Sequence, residues 1–198
     1  MEAVTFLTHD KYFIKRMTGL SFGRWLFFQV WITEVLYRQF ARELRPKFQD
    51  ADELDIRDVL AFLWYAVKIA NEQDLPLETP LDIDAEIWTG YIEKLQDEDI
   101  YDELDQNVTS EMGQTCLISA FFNTLSFIPN RSPKVAAGTA FLPMDVIDCI
   151  LTNDLELSYD QSTIGHPLYK AELAVQDRMI DYLHSGAPVG EAQKDLFR

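Results

Sequence analysis

The chain has 198 residues, 47% hydrophobic and 13% aromatic, which is enough to bury a core and too apolar for disorder over most of its length. Eight glycines and eight prolines are too few to punctuate a β-sandwich, whose turns recur about every 8–12 residues. A formal net charge of −16 repels nucleic-acid backbones and anionic membranes, so neither is an expected direct partner.

The charge is unevenly distributed. Residues 1–68 hold 10 Lys/Arg against 9 Asp/Glu, whereas residues 69–198 hold 7 against 24. The densest part, 72–111, carries 14 acids and the single base Lys94. Cys116 and Cys149 lie among apolar residues and match no zinc or redox spacing, so both read as buried small hydrophobes. The first residues (MEAVT) lack a basic region followed by an apolar run, so no signal peptide is expected. The most apolar window noted, Leu20 to Phe40, is interrupted by Arg24, Gln29, Glu34 and Arg38, which disfavours a membrane span. The location expected on these grounds is cytoplasmic.

In chain order, residues 9–19 suit a short helix with Tyr12, Phe13, Arg16 and Met17 at three-to-four spacing. Ser21 can cap a second helix to about Leu44, along which Trp25, Phe28, Ile32, Leu36 and Phe40 repeat at helical spacing. Phe27, Val30 and Trp31 widen that stripe around most of the circumference, so this helix should be the centre of the core. Pro46 stops it. Asp55 opens a third helix to about Asn71, and the proline-containing stretch 75–81 is a connector. Asp82 or Asp84 caps a fourth helix with Ile87, Trp88, Tyr91, Ile92 and Leu95. Residues 96–105 pack six acids into ten positions and read as a solvated turn.

A fifth helix is expected from about Val108 to Phe127. Ser132-Pro133 is a capping residue followed by proline at the first helical position, opening a sixth helix to about Leu151. Pro143 inside it lacks an amide donor, so a kink or break is expected there. His166-Pro167 opens the last helix, and residues 186–198 read as a flexible tail. The fold class predicted is all-α, a single-domain bundle of about six to seven helices around the aromatic-rich helix, spanning 1–185.

The catalytic inventory is thin. No Glu-x-x-His pair suits a di-metal bundle, and no nucleophile elbow or phosphate-cradling loop occurs. Asp177, Asp181 and His184 share one helical face, but a histidine near a helix C-terminus more often complements the dipole. No metal, cofactor or catalytic residue is assigned. Glu34 is unusual inside an apolar run, and Arg38 one turn later can pair with it in the favourable Glu-before-Arg order.

The segment Glu34-Val-Leu-Tyr-Arg-Gln-Phe40 resembles the Glu-x-hydrophobic-Tyr-Pro-x-aromatic signature of the YjaG-like bacterial proteins, a domain-of-unknown-function family (DUF 416), with Arg38 in place of the proline. His166-Pro167 followed by Glu172 and Gln176 is similar to that family's last helix, and the resemblance covers about residues 13–185. It implies a compact all-α domain and no established activity.

Two kinds of site follow. The leading expectation is a non-enzymatic interaction module, self-associating or bound to a basic protein, with Asp97, Glu98, Asp99, Asp102 and Glu103 as its acidic patch. The alternative is an enzyme or small-molecule binder whose inter-helix pocket is lined by Glu34, Tyr37, Glu172 and Gln176. A third reading is an acidic mimic of nucleic acid.

Overall fold

A computed structural model describes residues 8–44, 55–79, 81–97, 104–157 and 165–198. Within them lie seven α-helices and no strand: α1 His9–Met17, α2 Phe22–Leu44, α3 Ile56–Glu72, α4 Glu86–Asp97, α5 Thr109–Asn130, α6 Pro133–Cys149 and α7 Pro167–His184. The start signals act through ordinary capping chemistry. Asp55 accepts from the Arg57 amide at 2.9 Å while its own amide donates to Asp58, a capping box. Of the two aspartates offered for α4, Asp84 accepts from the Glu86 amide at 3.0 Å. His166 caps α7 through Nδ1, which accepts from the Leu168 amide at 3.3 Å.

The central helix is α2, which packs against α3, α5, α6 and α7. Its Trp25, Phe27, Phe28 and Trp31 are fully buried. Phe127 of α5 stacks on Phe22 and Trp25, and Phe13 of α1 meets Trp25 edge-on. Aromatic pairs in these geometries contribute about 0.5–1.5 kcal/mol each beyond the area they bury. A thread of polar contacts crosses this core. Thr33 and Thr124 share a hydroxyl contact at 3.2 Å, and Thr139 donates to the Gln29 carboxamide at 3.3 Å. Such pairs tie α2, α5 and α6 in one register, because a slipped helix would strand each hydroxyl in apolar surroundings.

Two expectations about α6 change. The helix runs unbroken through Pro143. The proline is buried within a helix held by α1, α2, α5 and α7, so packing offsets one missing amide bond. The irregularity comes later, as a π-turn over Ile150–Asp154. By length and hydropathy, Pro133–Asp154 is the one helical stretch among the described residues that could cross a membrane, rather than Leu20–Phe40, and over half of it is buried inside the bundle. Cys116 and Cys149 are both buried and unpaired.

Residues after α7 fold back over the bundle. Arg24 of α2 donates to the carbonyls of Leu183 and Ala187, and Tyr182 donates to the Pro188 carbonyl at 2.7 Å. Val189, Leu196 and Phe197 pack against the core, and Phe197 meets Tyr182 edge-on. The segment read from sequence as a flexible tail therefore has specific partners. None of them is visible to composition, which registers only its small and polar residues.

Candidate functional site

Glu34 lies on α2 one turn beyond Trp31, and only 5% of its surface is exposed. Its two oxygens have separate partners. Arg38 donates to Oε1 at 2.7 Å, and the Trp64 indole of α3 donates to Oε2 at 2.9 Å. Lys194 from the tail stands 3.9 Å from Oε1, and Arg38 also pairs with Asp195 of the same tail. A carboxylate at the heart of a bundle must find donors or lose its charge, and these groups supply them. The Glu34–Arg38 pair expected from spacing is present. With a donor on each oxygen and Lys194 close by, Glu34 is held as a structural anchor.

Glu172 on α7 is handled the same way. Arg198 grips both its oxygens in a bidentate pair, with one N–H···O distance of 2.9 Å, and the guanidinium lies 4.4 Å over the Trp31 ring. Fork-to-fork pairing and stacking on an indole are both interactions that arginine makes better than lysine. Gln176, one turn along α7, donates to Glu172 Oε1 at 2.9 Å and to the Ala140 carbonyl of α6 at 2.8 Å. Glu172 is thereby oriented from the helix side and neutralised from the tail side.

Of the four residues named as a pocket lining, Glu172 and Gln176 are in contact. Among the described residues Glu34 is joined to that pair through the tail, by Lys194 and Arg198. Tyr37 sets its ring edge-on to Phe121 of α5. Sequence reasoning missed the partners Trp64, Lys194 and Arg198. The signal for the last two was the recurrence of basic residues in a tail that follows an acidic domain.

A groove of about 730 Å³ does lie beside this clasp, between α3 and the tail. Trp64, Tyr65, Lys68 and Asn71 form one wall and Pro188 to Glu191 the other. Glu34 and Glu172 do not reach it. On the opposite face of α7, Asp177 accepts from the Tyr12 hydroxyl at 2.7 Å and Asp181 from Arg16 at 2.7 Å. His184 Nε2 meets the Arg16 carbonyl at 2.7 Å. The aspartates and histidine on that face thus clamp α1 to α7, and among the described residues no cluster of three metal-ligating side chains forms.

The acidic patch falls largely outside what can be described. Asp97 closes α4, while Glu98, Asp99, Asp102 and Glu103 lie outside the described residues. What precedes them is clear. Asp82, Asp84, Glu86 and Glu93 are exposed, and Glu86 and Glu93 recur on one face of α4. Beside them Ile87 is 65% exposed, the most exposed large hydrophobic side chain described. Trp88 next to it stacks on Phe62 of α3 at 5.5 Å, which fixes the helix. Comparison with protein-family models, with curated sequences and with solved structures finds no match to this chain.

Proposed function

We propose that this chain is a non-enzymatic helical recognition module, of the YjaG-like kind and acting in the cytoplasm, that binds a basic protein through the α4 face. The observation that carries this reading is Ile87, an exposed apolar side chain close in sequence to the exposed carboxylates Asp82, Asp84 and Glu86, with Lys94 two turns along the same face and the exposed Glu93 next to it. An apolar anchor within a charged rim is the anatomy of a protein interface, and the sign of the rim selects a basic partner. The unequal charge of the chain's two parts supports it, since 24 of 33 acids follow residue 68. The engagement of Glu34 by Arg38 and Trp64 supports a structural role for that carboxylate.

The test is crosslinked capture from cell extract with the wild type beside a Glu86→Lys/Glu93→Lys/Ile87→Asp variant. A basic protein should be recovered with the wild type, be lost with the variant, and be released as salt rises past roughly 0.3 M, where the Debye length falls to about 5–6 Å. Identical recovery by both proteins, or self-association of the wild type with no other partner, removes the proposal.

A further inference from the structure

A second groove, of about 470 Å³, lies away from both the clasp and the α4 face, where α1, α5 and α6 meet. Along α6, Lys134, Gly138, Phe141 and Asp145 repeat at three-to-four spacing and so form one stripe facing it. Ser119, Phe122 and Asn123 of α5 make the second wall, and His9 and Asp10 of α1 close the end.

Several polar groups of this groove are unused. Asp145 is only partly exposed, and no hydrogen bond or ion pair reaches it among the described residues. Its nearest charged neighbour on α6, Asp148, is of like sign and already accepts from the Tyr169 hydroxyl at 2.9 Å. Burial, with Asp148 second, pushes the Asp145 carboxyl up to about 6. Ser119 and Asn123 likewise have no side-chain partner among the described residues. His9 is 3% exposed with Nδ1 unpartnered, and its ring stands edge-on to Phe141 at 5.2 Å. Burial lowers its pKa, so the ring is neutral near pH 7. A protein gains nothing structural from leaving a half-buried carboxylate and two neighbouring polar side chains without partners, with a buried imidazole nitrogen unused beside them; such groups point to a ligand.

The charges define the ligand. Those facing the groove are His9 and Asp10 from α1 and Lys134 and Asp145 from α6, while α5 contributes only neutral side chains. Lys134 is eleven residues from Asp145, about 16 Å along the helix at 1.5 Å per residue, so it does not neutralise that carboxylate. Cys116, close enough to feel Asp145, is held as a neutral thiol by burial. Phe122 and Phe141 flank the apolar middle. Gly138 keeps that middle open, since a Cβ there would meet only the Asn123 amide nitrogen, at 3.5 Å.

We propose that this groove binds a small primary amine with an aromatic or branched apolar body, its ammonium on Asp145 and its body between Phe122 and Phe141. Ser119 accepts from the ammonium, Asn123 lies beside Gly138 at the far end of the body, and the two rings add a cation–π contribution.

Phenethylamine is a suitable probe for the full chain, followed by calorimetry and amide NMR, with phenylacetate as the anionic control. Saturable binding is expected at about pH 7.5, with shifts centred on residues 119–123 and 138–145. The affinity should fall about tenfold by pH 5, because the probe stays cationic while a carboxyl titrating near 6 is about one-tenth ionised there. Asp145→Asn should weaken binding tenfold or more. Gly138→Leu should abolish it while leaving the circular dichroism unchanged. The proposal is overturned by unchanged affinity in Asp145→Asn, by equal binding of phenylacetate, or by no saturation up to roughly 10 mM, a Kd ceiling near −3 kcal/mol.

Discussion

Asp145 carries an energetic penalty that can be read out as stability. Its carboxyl is raised to about 6 by burial, against 3.8 for the ordinary group, so the native state holds the proton more tightly than the unfolded chain. Between about pH 4 and 6 the native state therefore binds more protons, and this group's contribution makes stability fall as pH rises through that window. Above it the full penalty persists. Asp145→Asn removes the charge without changing the shape, so it should raise stability by roughly 1–2 kcal/mol at pH 7.5, after allowing for partial solvent access, and by almost nothing at pH 4. Urea denaturation at the two pH values checks it, and equal gains at both would show that the carboxylate is solvated. His9 works in the opposite direction. Its lowered pKa means that acid favours the unfolded chain below about 6.5, so its contribution opposes that of Asp145. Neither group was legible in the sequence. Asp145 sits in an apolar helix beside a proline, and only the crossing of α1 over α6 brings His9 to Phe141.

Between elements, the Phe40 ring of α2 lies directly over Gly113 of α5. A Cβ built there would lie 2.2 Å from the Phe40 ring, so the glycine is what lets the two helices meet. Two effects of opposite sign act at this position. Alanine is the better helix former by about 1 kcal/mol, whereas overpacking costs about 1–3 kcal/mol. Gly113→Ala should thus destabilise the wild type by about 1–2 kcal/mol, the half-buried Phe40 ring swinging out to make room. In a Phe40→Ala background the clash is gone, and the same change should become stabilising by up to about 1 kcal/mol. A thermal-melt cycle over the four proteins measures this reversal of sign, and additivity within about 0.5 kcal/mol would show that the two side chains do not meet. The helices themselves were legible because their apolar residues recur at 3.6-residue spacing and their starts carry Asp55, Ser132-Pro133 and His166-Pro167. Pro143 misled for a reason of context. Local chemistry predicts a kink or a break, but a helix flanked by four others keeps its helical turns through the proline. Gly113, inside a helical pattern, reads as a mild defect until the partner helix is known.

On the scale of the whole molecule, the question is how a chain of net charge −16 holds two carboxylates inside its own bundle. The tail is the solution: it crosses the bundle and brings Lys194 to Glu34 and Arg198 to Glu172. The pairing joins positions 26 residues apart or more, which is why spacing rules that see one helical turn found Glu34–Arg38 and missed the rest. Phe197 adopts a left-handed backbone at φ 66°, a conformation costing a residue with a Cβ about 1–2 kcal/mol, and the grip of Arg198 has to exceed that strain.

Arg198→Ala should therefore lose the bidentate pair, the stacking on Trp31 and the reason for the strained turn together. It leaves Glu172, 8% exposed, with only Gln176 as a donor. The expected destabilisation is roughly 2–3 kcal/mol, below the 3–5 kcal/mol of a deeply buried pair because Arg198 retains some contact with water. Arg198→Lys should recover little, since an ammonium cannot reproduce the planar fork. Salt separates this local effect from the global one. Raising ionic strength screens repulsion across the acidic surface, so the melting temperature of the wild type should rise with added sodium chloride. The gap between wild type and Arg198→Ala should stay nearly constant over the same range, because a pair shielded by Trp31 and α7 is screened far less than exposed charges. A gap that closes with salt would mean that Arg198 acts only by reducing the net charge, and the tail would then be an electrostatic neighbour of the bundle instead of its clasp.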